Sequence, residues 1–505
     1  MKGLHEFEVP NDGEICLCEI NGRVHSVNYE YANLDAFTDA LKNHPKIHIT
    51  RDQLHLISSG DEGKALFLPV DVSFLKQLTQ VYYEQGFTET LHTASGHNQW
   101  FIRKGSKLIL DVLKYINKVR LIFNPNVRYS GPTLINEYAQ GRNWLNSTIR
   151  CIAWHPYSSK VAIATCDDSI RIFSSECGSI TPILRCKQQK HVTCIAWRPL
   201  SNTEIAVGHE DGIIIWNVDP NSLVVRPSIS NAVVLKRLEH KPVISLAWSP
   251  RGDKLVTAAA CDNTILVWDV ELDLTSSLKR SGGSGNILVK WSPTGERLFS
   301  CSNTLVFRIW DCRTWDCERW SLPSMGRIQS ACWAADGSVL LFAAEGDTVL
   351  YGAVIDCDIA FVSNGESLEK QACPLFDMSR VDVEGIPLGG PIRQIEADPK
   401  GRHVAVLFQD TDCIAVFGVV KRPQLALIPS SLIMGLAEEK PSTISFIQDF
   451  DSGSCLTIGW SSGRLQYYPI IYSDLGESHN KSVNCSYNSF NAKSIHGQVL
   501  ETNVF

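Results

Sequence analysis

VISLAWSPRGDKLVTAAACDNTILVWDV, residues 243–270, holds three short strands and two turns in one stretch. The first apolar run ends at Trp248, and Ser-Pro-Arg-Gly-Asp follows. There Pro250 presets φ and Gly252 accepts a positive φ, as a tight turn needs. A second apolar run, 255–260, is stopped by Cys-Asp-Asn. A third ends at Trp268-Asp269. Runs of about six β-branched and apolar residues between turn formers read as strands rather than helices.

The same pattern recurs seven times, at 149–174, 192–218, 243–270 and 286–312, then from Ile328, Ile392 and Ile444. The first run ends at a corner tryptophan in five copies: Trp154, Trp197, Trp248, Trp291 and Trp333, at intervals of 43, 51, 43 and 42 residues. The third run carries Phe173, Trp216, Trp268, Trp310, Tyr351, Phe417 and Tyr468 as closing aromatics. A period of roughly 40–45 residues with Trp-Asp endings is that of WD40 blades. The fold expected is therefore all-β, a seven-bladed WD40 β-propeller with a helical N-terminal insertion. The sixth and seventh copies have Ala397 and Asp449 at the corner, which predicts looser blades.

Four polar residues fit the same pattern. His191 and His240 precede a first strand, where a WD blade places its structural histidine. Asp167 and Asp262 stand six residues before a closing aromatic, where the partner aspartate fixes a turn. Blade architecture accounts for them without catalysis or metal binding.

The domain reading follows from the repeats. Residues 1–28 form a strand segment, with EICLCEINGRVHSV (14–27) placed to supply the outer strand of the last blade and close the ring. Residues 29–143 are a mainly helical insertion, 144–472 the propeller, and 473–505 a flexible polar tail rich in Asn and Ser. Within the insertion, 72–86 places Phe74, Leu75, Leu78, Val81 and Tyr82 on one helical face. A second helix, 105–123, has Ile109, Val112, Leu113, Ile116, Val119 and Phe123 on its apolar face. Lys107, Lys114, Lys118 and Arg120 lie opposite, against Asp111. Such a basic amphipathic helix packs on the propeller or touches a partner or an anionic membrane. The stretch 356–390 reads as a patternless loop, of the kind that often carries binding.

Composition narrows the function classes. With 44% hydrophobic and 20% charged residues the 505-residue chain is globular. A net charge of -7 without a basic block argues against direct nucleic-acid binding. The N-terminus lacks a signal-peptide pattern, and no apolar run approaches the ~18 residues of a membrane span. The 17 cysteines read as buried reduced thiols, since neither Cys16-Leu17-Cys18 nor Cys312 with Cys317 gives paired zinc ligands. The sequons at Asn146, Asn480 and Asn484 are chance matches on this reading. No nucleophile elbow, Walker loop or His-Glu-x-x-His occurs, and glycine-rich 281–286 has no helix behind it to bind phosphate. No catalytic, cofactor-binding or metal residue is expected, and no cofactor.

Several stretches resemble the aladin family of WD-repeat nucleoporins. They are Ala153-Trp154-His155-Pro156; Ile214-Ile215-Trp216 followed by Asp219-Pro220 and Arg226-Pro227-Ser228; and Val243 to Trp248. Further on come Phe307-Arg308-Ile309-Trp310 with Cys317-Glu318-Arg319-Trp320, and Ile458 to Arg464. Thr93-Ala94-Ser95-Gly96 and Ser494-Ile495-His496 extend the likeness to both ends of the chain. The resemblance implies a nuclear-envelope location at the nuclear pore complex and a non-catalytic scaffold or adaptor role supporting nucleocytoplasmic transport of proteins. It implies other nucleoporins as partners, a transmembrane nucleoporin as the anchor, and a link to the mitotic spindle. Peripheral membrane contact fits the basic helix. The alternatives are a cytosolic WD40 adaptor of another pathway and a propeller enzyme; the apolar CIAW and SLAW first strands weigh against the latter. Trp315 and Trp320 are the exposed anchor candidates, since aromatic side chains dominate interface energetics.

Overall fold

A computed structural model describes residues 3–10, 14–20, 22–28, 87–95, 100–123, 147–174, 181–219, 224–279, 285–324, 326–355, 370–420, 425–435, 439–450 and 453–472, with isolated helical positions between 74 and 82. The strands form seven blades around a ring, each built on antiparallel strands that run in chain order from innermost outward, with Lys370–Gln371 added in parallel to blade 4 and the N-terminal strands added to blade 7. Blades 1 to 6 span 149–184, 194–235, 243–279, 286–321, 328–377 and 392–434, and blade 7 begins at 441. The fold is a seven-bladed β-propeller.

One side-chain row organises the blades. In blade 3 Trp248 pairs with Leu255, and Leu255 pairs with Trp268 on its other side. The same row is Trp154–Val161–Phe173 in blade 1 and Trp291–Leu298–Trp310 in blade 4. Two bulky rings thus clamp one aliphatic side chain that is fully buried. Gly252 turns the chain between the first two strands at φ 68°, and a Cβ there would lie 2.3 Å from the Pro199 carbonyl oxygen. Only glycine satisfies both conditions.

Blade 6 completes the row as expected, Ala397–Val404–Phe417, and blade 7 does not. The corner of blade 7 is Phe446, opposite Leu456, and not Asp449. Neither blade is loose: the second strands His403–Phe408 and Gly453–Trp460 are buried along their whole length. In blade 5 the row ends at Ala353; Tyr351 stands two residues back, opposite Phe342, and stacks on it.

The N-terminal segment belongs to the ring. Glu14–Ile20 runs parallel to Leu465–Ile471, with Glu19 opposite Ile470, and Arg23–Asn28 pairs antiparallel beyond it, so blade 7 has five strands. Ahead of it, Leu4 and Phe7 are buried in the core shared by blades 5 and 6, where Phe7 meets Phe417 edge-on at 5.3 Å. The stretch 370–388 is also ordered into strands, contrary to the loop expected. Cys373–Asp377 is the outer strand of blade 5, and Val381–Val383 with Ile386–Leu388 makes a hairpin.

Two helices are described in the insertion, α1 (Phe87–Ser95) and α2 (Trp100–Phe123), packed on each other. Helix α2 starts five residues before the expected Gly105. Its buried positions are Ser106 and Leu110, facing α1's Leu91 and Ala94, while Ile109 and Val112 are exposed. Ser106 returns its hydroxyl to the Ile102 carbonyl at 2.7 Å, so a small, internally satisfied side chain sits at the contact. The rest of the 72–86 helix, the side chains of Ile116, Val119 and Phe123, the 281–284 glycine stretch and the 473–505 tail lie outside the described residues. No helix among the described residues is long and apolar enough to cross a membrane.

Candidate functional site

The polar residues picked out by the repeat converge in blade 3. His240 Nδ1 lies 2.8 Å from Asp262 Oδ2, and its Nε2 lies 2.9 Å from Thr257 Oγ1. Trp268 Nε1 donates to the same hydroxyl at 2.9 Å. Asp262 also accepts from the Thr264 backbone N–H and hydroxyl, fixing the turn before the third strand. The order Thr-His-Asp imitates a nucleophile triad, but Thr257 is wholly buried and already accepts the indole N–H, so no substrate can reach it. The set is a buried polar network whose members satisfy one another. Burial depresses the His240 pKa against the pull of Asp262. Asp262 is itself lowered: burial works upward, and the bonds from Thr264 and His240 outweigh it.

The other blades carry altered versions. In blade 2 the histidine place is taken by Gln189, which accepts from Trp216 Nε1 at 3.1 Å and donates to the Asp168 carbonyl at 2.7 Å. His191, expected there, is instead solvent-exposed at φ 53°, with only a 3.9 Å contact to Glu210. Gln189 stands eight residues before Trp197, as His240 stands eight before Trp248, whereas His191 stands only six before its corner. In blade 1 Asp167 holds the turn through Thr165, Ser169 and the buried Arg171, which replaces a histidine. In blade 4 Trp310 donates to Ser300 Oγ at 2.8 Å, with Thr304 in the aspartate place.

The corner tryptophans join neighbouring blades. Trp197, Trp291 and Trp333 donate their indole N–H to the carbonyls of Ala153, Ala247 and Lys290, each one residue before the preceding corner, at 3.1 Å. Trp154 donates to Thr457 Oγ1 of blade 7 at 2.8 Å and so links the first blade to the last. Trp248 breaks the series: its Nε1 is buried without a partner among the described residues. Arg198 makes the blade 2–3 connection instead. It lies over the Trp248 ring at 5.3 Å and bonds the Gly252 carbonyl at 2.7 Å and Glu271 at 2.6 Å. Of the two offered as exposed anchors, Trp320 is buried and stacks on Phe307, whereas Trp315 is half-buried and meets Trp291 edge-on.

A second buried network, unseen in the sequence, fastens the N-terminal strand. Glu19 accepts from Ser430 Oγ at 2.9 Å and lies 3.4 Å from His403 Nε2. His403 Nδ1 is 2.9 Å from the Tyr472 hydroxyl, which donates to Asp398 at 3.0 Å. Burial works to raise the Glu19 pKa, but His403 and the serine hydroxyls outweigh it and the net shift is downward. The polar partners gave no sequence signal, because they come from blades distant along the chain.

Where the inner strands of blades 3, 4 and 5 begin, a cavity of about 420 Å³ is floored by Ile244, Ile287 and Ile328. Arg327 and Glu345 pair at its rim at 2.6 Å, and Gln329 lines the wall. An apolar floor with a few polar rim groups suits a partner's side chain. One residue before the corners, Ala153, Ala196 and Ala247 are small, whereas Lys290 and Glu396 neutralise each other at 3.6 Å. Burial pushes the thiols of Cys16, Cys18 and Cys332 up to about 12, which makes them poor nucleophiles. Among the described residues no group of three or more His, Cys, Asp or Glu could hold a metal.

Comparison with known proteins agrees with this architecture. Residues 130–471 match the model of the Aladin seven-bladed propeller. Aladin of Arabidopsis thaliana is 25% identical over 348 residues, which is 64% of this chain and 75% of that protein. The WD repeat-containing protein AAC3 of Dictyostelium discoideum is 27% identical over 155 residues, 28% of this chain and 32% of that one. Protein HIR1 of Mycosarcoma maydis is 27% identical over 251 residues, 43% and 24% of the two chains. With the family match running through all seven blades, the chain belongs to the Aladin seven-bladed propeller family.

Proposed function

We propose that this protein is a non-catalytic scaffold of the nuclear pore complex, at the nuclear envelope, supporting protein traffic between nucleus and cytoplasm. A transmembrane nucleoporin anchors it, other nucleoporins are its partners, and it has a further role at the mitotic spindle. The observation that carries the reading is the family match along 130–471. The geometry supports it: the polar networks are spent on fixing the ring, which leaves a rigid body with two faces and a rim for separate partners. The cavity between blades 3, 4 and 5 is the binding position on one of them. Affinity capture of the full chain from cross-linked cells tests the partners. The reading expects pore components, including one that spans the membrane. Recovery of a cytosolic complex without pore components contradicts it.

A further inference from the structure

Helix α2 buries one face and leaves a second apolar face in water. Ser106 and Leu110 pack towards α1, and residues two positions away point almost oppositely on a helix of 3.6 residues per turn. On that opposite side Trp100, Phe101, Leu108 and Tyr115 are 64% exposed or more, and Val112 is 48% exposed. An exposed apolar stripe of this size on a folded protein marks an interaction surface. Lys104 and Lys107 flank it, both exposed, beside the acid Asp111. The Lys104 ammonium lies 5.3 Å from the centre of the Trp100 ring.

We infer that this face of α2 lies on a lipid bilayer carrying anionic headgroups. Charge complementarity selects the occupant: Lys104 and Lys107 at the stripe's edge, with Arg103 exposed at the same end of the helix, against Asp111, suit a negatively charged surface. The side-chain types agree with it. Trp100 and Tyr115, near the ends of the stripe, have amphipathic rings that settle at a headgroup boundary. Lysine and arginine stems lie along apolar surface while their charges reach the phosphates. The stripe is peripheral, since α2 is too polar to span. The inference is independent of the pore assignment and needs only the purified chain and lipid.

Flotation of the full-length protein with phosphatidylcholine vesicles, with and without phosphatidylserine, tests it. The protein is expected to float with the phosphatidylserine vesicles and to lose that binding at high salt. Leu108→Asp with Val112→Asp should weaken flotation by about tenfold or more, and Lys104→Glu with Lys107→Glu by about tenfold. All four side chains are exposed, so both variants should melt as the unaltered protein does, and the melting curve separates lost binding from lost folding. If the unaltered protein does not float with the phosphatidylserine vesicles, the face belongs to a protein partner and the inference is wrong. It is equally wrong if Leu108→Asp with Val112→Asp floats undiminished.

Discussion

Glu19 and His403 face each other inside the protein, Oε1 to Nε2 at 3.4 Å, both almost fully buried. One comes from the first strand of the chain and the other from blade 6, so the pair ties the N-terminus to a blade completed near the C-terminus. Removing the carboxylate leaves buried polar groups of His403 and Ser430 without their partner, at about 1–3 kcal/mol each. Glu19→Ala should lower stability by about 3 kcal/mol. Glu19→Gln, which keeps an acceptor for Ser430, should cost less. Urea unfolding of the three proteins measures both.

The same carboxylate makes stability depend on acid. Its folded pKa lies below the ordinary value of 4.5, so its contribution is complete above that pH and is lost as pH falls through the lower folded value. His240 acts in the same direction at higher pH. Its folded pKa is depressed below 6.5, so the contribution of the neutral, buried ring declines as pH drops beneath 6.5. Unfolding midpoints from pH 7.5 to 4 should therefore fall. The fall should be shallower in His240→Gln below pH 6.5 and in Glu19→Gln below pH 4.5.

Thr257 serves two partners at once, accepting from Trp268 Nε1 and lying 2.9 Å from His240 Nε2. Thr257→Val leaves Trp268 Nε1 and His240 Nε2 buried without acceptor or donor, at about 1–3 kcal/mol each. The expected loss is about 3 kcal/mol, against about 1–2 kcal/mol for Ser300→Ala in blade 4, where only one indole is orphaned.

Trp154 and Trp248 occupy equivalent corners but differ at one atom. Trp154 Nε1 bonds Thr457 across the join of first and last blades, whereas Trp248 Nε1 has no partner among the described residues. Replacing each by Phe removes the N–H and part of the ring. Because Trp154→Phe also loses a hydrogen bond, it should cost about 1 kcal/mol more than Trp248→Phe, as read from paired unfolding curves.

Blade 2 gives a direct contrast between sequence and structure. Gln189→Ala removes the acceptor of Trp216 and two donated bonds and should cost about 2 kcal/mol. His191→Ala, at an exposed site, should stay within about 0.5 kcal/mol. The ring itself was legible because corner, turn, apolar run and closing aromatic repeat in each copy and demand the same packing row. What escaped were features with no local period. Leu4 and Phe7 are isolated apolar residues whose partners lie in blades 5 and 6. The strand Cys373–Asp377 has an irregular pattern because one side chain of its pair is bulged. Gln189 was hidden because a conspicuous histidine, His191, stands two residues after it, and Ala353 because Tyr351 offered a more conspicuous ring. The cavity floored by Ile244, Ile287 and Ile328 is assembled from three blades, and each isoleucine alone reads as ordinary strand.

The proposed role makes this propeller a fixed part of the nuclear pore. Imaging the tagged protein at native expression in interphase cells, together with a pore marker, decides this. Punctate staining of the nuclear rim coincident with pores is expected. A diffuse cytosolic signal would overturn the proposed role.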